Sequence, residues 1–175
     1  MTGGKAWLWF GLAIVVIVLD QLSKQAIALN FEYGERLNLL PVFDLTLVYN
    51  YGAAWSFLSD AGGWQRWFFT AISFFVSIVI MVWIWRLAKD VASTGVSQTL
   101  LLLALSLILG GAIGNLIDRV LYGYVIDFLL VYYQDSFFPV FNIADSAISL
   151  GAGLMILDVF KGGLSEQPTD KKASS

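Results

Sequence analysis

Tyr124–Ser146, YVIDFLLVYYQDSFFPVFNIADS, decides how the rest of the chain is read. It carries Asp127 and Asp145, each set in strongly apolar sequence where an ionised carboxylate is costly. Its first part, Val125–Tyr133, is too short to cross a bilayer, which takes about 20 mostly apolar residues. It is therefore expected to return along the interface or as an extended segment. Its last part opens the apolar run Phe137–Leu157, in which Asp145 is the only charge. With a helix start near Pro139, Asp145 lies about 9 Å along the axis at roughly 1.5 Å per residue. Both carboxylates then reach one pocket near the same membrane surface, which points to a reaction centre.

Outward from that stretch the chain stays apolar. It is 58% hydrophobic and 13% charged, with a mean hydropathy of +0.75, outside the range of ordinary soluble domains. Ala6 to about Leu29, Trp67–Trp85 and the uncharged run Val91–Ile117 join Phe137–Leu157 as segments long enough to span. The expected fold is an all-α integral membrane protein of four transmembrane helices, at about 6–29, 64–87, 97–121 and 138–160. These make a single domain over 1–161, and the polar tail 162–175 reads as disordered.

Lys5 precedes the first helix, Arg86 and Lys89 follow the second, and Lys161, Lys171 and Lys172 follow the fourth. By the positive-inside rule both termini are expected in the cytoplasm. Trp7, Trp9, Trp64, Trp67, Trp83 and Trp85 fall at predicted helix ends, as interfacial aromatic belts should. Lys5, the apolar run and Ala26-Ile27-Ala28 loosely imitate a cleavable signal peptide. Trp7 and Trp9 open that run, however, and Asp20 and Lys24 stand in the cleavage region, so the first helix is expected to be retained. The net charge of −3 and the absence of like-charge blocks argue against a nucleic-acid partner.

Cysteine and histidine are both absent, which removes disulfides, thiol nucleophiles, Ser-His triads and HExxH zinc sites. Acid–base chemistry must use carboxylates, Lys, Tyr or Arg. Asp20 and Lys24 are spaced i,i+4 with the acid N-terminal, a mutually neutralising pair that can shape a site. Ser23, adjacent to Lys24, points elsewhere. Phe43, Leu45, Leu47 and Tyr49 alternate with Val42, Asp44, Thr46 and Val48 after Pro41, which reads as a strand with one apolar face. A small extracytoplasmic β-sheet over about 31–49 is expected at the membrane surface. In YNYGAAWSF, Tyr49–Phe57, an amide and a glycine lead into an amphipathic turn or short interfacial helix. Asn50 is either a turn former or a donor to a substrate backbone.

The third helix contains Gly110, Gly111 and Gly114, spaced for close packing, then Asn115-Leu116-Ile117-Asp118-Arg119. Asn115 shares a face with Arg119 at i+4 and with Asp118 at i+3, a polar group that could be snorkelling anchorage. Asn142 and Asp145 are i,i+3 on one face, with the small Ala144 between them. Asp145 could otherwise be a buried acid, protonated or paired with Arg119 or Lys24.

These pieces together resemble one family. LDQLSK at Leu19–Lys24, YNYGAAWSF, GGAIGNLIDR at Gly110–Arg119, VIDF at Val125–Phe128 and FNIADS at Phe141–Ser146 occur in the order found in lipoprotein signal peptidase (signal peptidase II), an aspartic protease of bacterial membranes. The resemblance covers roughly residues 6–160; Tyr51 and Trp55 replace the commoner Thr and Phe. It implies catalytic aspartates at Asp127 and Asp145. It also implies lining or supporting roles for Asp20, Lys24, Asn50, Gly52, Ala53, Gly110, Asn115, Arg119, Asn142 and Ala144, with no metal and no cofactor. The implied substrates are diacylglyceryl-modified prolipoproteins, cleaved on the N-terminal side of the lipidated cysteine at the outer surface of the cytoplasmic (inner) membrane. Membrane lipid and globomycin-type inhibitors are the other implied partners, and a monomer is expected.

Two carboxyls in a partly dry pocket share one proton over a useful pH range, so one can activate water while the other hydrogen-bonds the peptide carbonyl. A second class, a small proton-coupled membrane transporter, would also use intramembrane acids and an Arg, but these acids collect near one surface and no internal repeat is evident. A third, a non-catalytic assembly factor, would tolerate Asn at both Asp positions.

Overall fold

The computed structural model describes residues 6–52, 62–94 and 98–162. Lys5, Ala53, the 54–57 end of the YNYGAAWSF motif with its expected interfacial helix, and the tail from 163 onward lie outside them. The elements run α1 (Ala6–Asn30), β1 (Arg36–Leu40), β2 (Phe43–Asn50), α2 (Trp64–Thr94), α3 (Thr99–Leu121), β3 (Val125–Tyr133), β4 (Ser136–Phe137) and α4 (Ile143–Phe160). All four helices are long and apolar enough to cross a membrane. α3 is the hub: 61% of its most apolar window is buried, against 17% for α1 and α2 and 22% for α4. The outer faces of α1 and α2 leave Leu8, Val15, Leu22, Phe75 and Val79 exposed, as a lipid-facing surface requires.

Glycine brings the helices together. A Cβ on Gly111 would sit 2.3 Å from the Ala144 carbonyl oxygen, and one on Gly151 would sit 2.7 Å from that of Ala104, so α3 and α4 touch backbone to backbone. A Cβ on Gly110 would meet Ala13 O at 2.8 Å and Val16 Cβ at 2.6 Å, which sets the approach of α1. Gly110 is thus a packing residue below the polar groups. At the far end of α3, Gly123 takes φ +86° after the helix. Arg66 of α2 donates there to the Arg119 and Val120 carbonyls at 3.0 and 2.8 Å, satisfying the open end of α3.

Two helix boundaries differ from the sequence expectation. α2 continues to Thr94. α4 starts at Ile143, because Asn142 caps it and the preceding Phe138–Phe141 segment is extended against β3. Asp145 therefore lies in the first turn of α4, roughly 3 Å along the axis.

The four strands form an antiparallel sheet in the order β1-β2-β3-β4. The single apolar face expected for β2 is interrupted. Leu45 pairs with Leu129 and Val48 with Asp127, three steps along β2 against two along β3, so a bulge adds one residue. In an unbroken ladder Leu47 would oppose Asp127 and Asn50 would point to the other face. The bulge puts Asn50 opposite Val125, on the face that carries Asp127. Asp44, expected among the polar alternates, is buried and accepts from Asn38 Nδ2 at 2.8 Å and Tyr132 Oη at 3.1 Å. Ile27, Leu47, Ile126 and Phe128 form the core that seats the sheet on the end of α1.

Candidate active site

β3 and the first turn of α4 carry the two acids. Asp127 is 2% exposed and Asp145 is half-buried. Asn142 spans them: its Oδ1 accepts the Asp145 backbone N–H at 2.9 Å, capping α4, and its Nδ2 donates to Asp127 Oδ1 at 2.7 Å. Asn50 Nδ2 donates to the other Asp127 oxygen at 2.9 Å, while its Oδ1 accepts from Gly52 N at 3.0 Å in an Asx turn. Asn50 is thus a turn former whose amide is also spent on Asp127. From α3, Asn115 Nδ2 donates to Asp145 Oδ1 at 2.7 Å. Burial first, and next the charge of Asp145, hold the Asp127 carboxyl above its ordinary 3.8, at about 7; the amides of Asn50 and Asn142 and the charge of Lys24 act against that rise.

Behind the acids lies a closed knot of charge. Lys24 and Asp20 are 0% exposed and Asp118 is 1% exposed. The ammonium has three donors, and they meet Asp20 Oδ2 at 2.8 Å, Asp118 Oδ2 at 3.0 Å and Asn115 Oδ1 at 3.0 Å. Each carboxylate of the knot also accepts the backbone N–H of the residue just before a central acid. Asp20 Oδ1 takes Ala144 N–H at 2.9 Å and Asp118 Oδ2 takes Ile126 N–H at 3.1 Å. Gln21 Nε2 donates to Asp118 Oδ1 at 2.8 Å.

Asp118 and Gln21 are therefore part of the site, although neither was singled out as a site residue from the sequence. The signal was present in the spacing: adjacent residues on a helix do not face each other, so Asp118 and Arg119 point apart, whereas Gln21 lies i,i+3 from Lys24. Arg119 turns to the Gly52 carbonyl at 3.2 Å. Among the described residues neither Arg119 nor Lys24 forms an ion pair with Asp145. Of the positions predicted from sequence, Asp20, Lys24, Asn50, Gly52, Asn115, Arg119, Asp127, Asn142, Ala144 and Asp145 come together; Gly110 packs helices away from them, and Ala53 is outside the described residues.

A cavity of about 650 Å³ opens beside the acids. Asn50, Asn115, Arg119, Val125 and Asp145 form its polar end. Ser73 and Val76 of α2, Ile108 and Ala112 of α3 and Ile148 and Ser149 of α4 form an apolar trough leading away. From Asn115 to Ile108 the trough descends roughly 10 Å along α3.

Fold and site define a multi-pass membrane protein with an acid pair under a surface sheet, open on one side to an apolar trough. Comparisons with known proteins agree with that class. The family model described as signal peptidase (SPase) II matches residues 12–161. A protein of Pseudoalteromonas translucida named lipoprotein signal peptidase is 50% identical over 97% of this chain and 95% of its own length. One of the same name from Acinetobacter baumannii is 50% identical over 87% and 83%. A solved bacterial membrane enzyme, determined by the in meso method at 2.3 Å, superposes with a TM-score of 0.75 at 32% identity, covering 97% of this chain and 95% of that one. The chain belongs to the signal peptidase II family, and it is accordingly a membrane protease.

Proposed function

We propose that this chain is an aspartic endopeptidase that removes the signal peptide from diacylglyceryl-modified prolipoproteins, with Asp127 and Asp145 as the catalytic pair. The observation that carries the reading is the Asn142 side chain tying the Asp127 carboxyl to the backbone of Asp145, which lines the trough. Asp127, the more deeply buried of the two and held at about 7 by that burial, is assigned as the acid; Asp145, which lines the cavity, is the base.

Asp145 Oδ2, without a hydrogen bond among the described residues, takes a proton from water as the water oxygen attacks the peptide carbonyl carbon. The Asp127 proton passes to the carbonyl oxygen, giving a neutral tetrahedral diol. On collapse, Asp145 returns its proton to the leaving amine nitrogen, the C–N bond breaks, and Asp127 recovers a proton from one of the diol hydroxyls. The pair ends as it began, holding one proton. Asn50, Asn115 and Asn142 keep the carboxyls in place, and Arg119 is the cation nearest the trough that can meet substrate carbonyls.

The trough suits the apolar part of a precursor held in the bilayer by its signal peptide and acyl chains. With Lys89 and Arg86 at the far end of α2, the acids face the outer surface of the cytoplasmic membrane and both termini face the cytoplasm. The same reading takes the enzyme as a monomer, with globomycin-type inhibitors competing for the trough. The transporter reading is not favoured, because the acids gather at one end of the helices. The test is incubation of purified protein with a diacylglyceryl-modified precursor and its unmodified form. Cleavage of the modified form alone, blocked by globomycin, is expected; solute flux in proteoliposomes without cleavage would overturn the reading.

A further inference from the structure

The segment between β4 and α4 offers an unused strand edge to the cavity. Phe141 turns its backbone toward β3: its N–H donates to Leu129 O at 3.0 Å and its carbonyl accepts from Leu129 N at 2.8 Å. Phe138 N–H also donates to Val131 O at 2.9 Å, so this segment takes three steps where β3 takes two and leaves an extra residue outside the ladder. Among the described residues neither the Val140 N–H nor its carbonyl has a hydrogen-bond partner, and Val140 lines the cavity. Pro139 before it has no N–H and adds no competing donor. An open strand edge is a template for another extended chain.

We propose that the extended residues of the precursor flanking the scissile bond add to this edge as a strand, pairing their backbone with the N–H and carbonyl of Val140. The inference rests on the protease reading above and deepens it. A helical precursor hides its amides in i→i−4 bonds, so the segment to be cut must be extended, and its freed groups then need partners. Val140 stands two residues before Asn142, about 7 Å along an extended chain from the side chain that holds Asp127. A peptide paired there shares the cavity with Asp145, Asn50 and Val125. Main-chain pairing also leaves side-chain identity free, so one enzyme can accept precursors of different sequence.

The test uses the full chain and a lipid-modified precursor in which each amide flanking the scissile bond is replaced in turn by an ester, which removes one N–H without adding bulk. An alternating profile is expected. The ester that removes the donor to the Val140 carbonyl lowers kcat/KM roughly tenfold, and its immediate neighbours change it little. Val140→Pro, which deletes the enzyme's N–H and keeps its carbonyl, lowers kcat/KM by a similar factor, mainly through KM, with the melting temperature retained. Val140→Ala keeps both backbone groups and removes only side-chain contacts with the cavity, so its fall in kcat/KM is smaller than that of Val140→Pro. A flat ester profile, or wild-type kinetics in Val140→Pro, overturns the proposal. Should Val140→Pro fail to insert, the ester profile of the wild-type enzyme decides alone. Failure to cut the all-amide precursor would instead overturn the protease reading itself.

Discussion

Four acids stand within this site, and they are held in two different ways. Asp20 and Asp118 share a fully buried lysine and receive backbone N–H groups, with no access to solvent. Asp127 and Asp145 are gripped by neutral asparagine amides, Asp127 buried and Asp145 lining the cavity. A cation in contact ties a carboxylate into an ion pair, whereas a neutral amide positions it without a partner charge. One pair suits a structural role, and the other the catalytic role proposed for it. The knot also fastens the central pair, because its two carboxylates hold the backbone just ahead of each central acid.

The largest effects should separate the pairs. Asp127→Asn and Asp145→Asn should each lower cleavage by about 10²–10⁴-fold or more while the protein still inserts and melts cooperatively. Neither change leaves a buried charge behind. Cleavage of a lipidated precursor and a thermal melt in the same detergent read both quantities, and retained activity in both single variants would break the distinction.

Lys24→Ala should do the opposite and couple the two losses. It strands two carboxylates that are 0% and 1% exposed, at a cost of about 3–5 kcal/mol in stability, with activity falling alongside. The neutral combination Asp20→Asn, Lys24→Met and Asp118→Asn should regain much of that stability, since removing all the charges is less costly than leaving them unpaired. Denaturation midpoints of the two variants check the point.

Much of this was legible before any coordinates. Composition and run length give the four spans, and the motifs point to the central acids, because an aspartate in apolar sequence is expensive wherever it ends up. Gly110 and Gly151 show the limit. Gly110 was read as close packing from its spacing and as lining or supporting from the resemblance, and its contacts are with α1; Gly151 was passed over although it sets the α3–α4 contact. The partner of Lys24 was only half visible, since Asp118 lies 94 residues later and its own helix offers Arg119 as a nearer, misleading neighbour. The bulge in β2 left no sign in the alternation, because pairing with β3 decides where the extra residue goes. That bulge is what turns Asn50 toward Asp127.

A smaller effect probes the wall between the knot and the bundle. A Cβ on Gly114 would lie 2.6 Å from Asp20 Oδ2, so Gly114→Ala must push that carboxylate off Lys24 or move the helix. Overpacking of this kind costs about 1–3 kcal/mol and should lower activity by shifting the Ala144 contact. Gly11→Ala on the same bundle meets nothing within 4 Å and should leave melting and cleavage unchanged or slightly improved. Equal behaviour of the two variants in a melt would show that the knot tolerates displacement.

The finest test is of pH. Folding raises Asp127 from 3.8 to about 7, so the folded state holds this proton more firmly than the unfolded chain. The resulting stabilisation is complete below pH 3.8 and is lost as pH rises toward 7. Over the same window the paired acids keep their single proton, so kcat/KM for the lipidated precursor should fall as pH rises through about 7. Asn50 donates to Asp127 and favours its charged form. Asn50→Ala should therefore move that basic limb to higher pH, with a modest loss of rate from looser positioning. Lys24 also favours the charged form of Asp127 through its field, but it acts from within the knot. A limb that moves in Asn50→Ala with the melt unchanged would show that the amides tune the reacting pair independently of the charges that hold the fold. An unmoved limb would place the titration elsewhere and remove Asp127 from the role of acid.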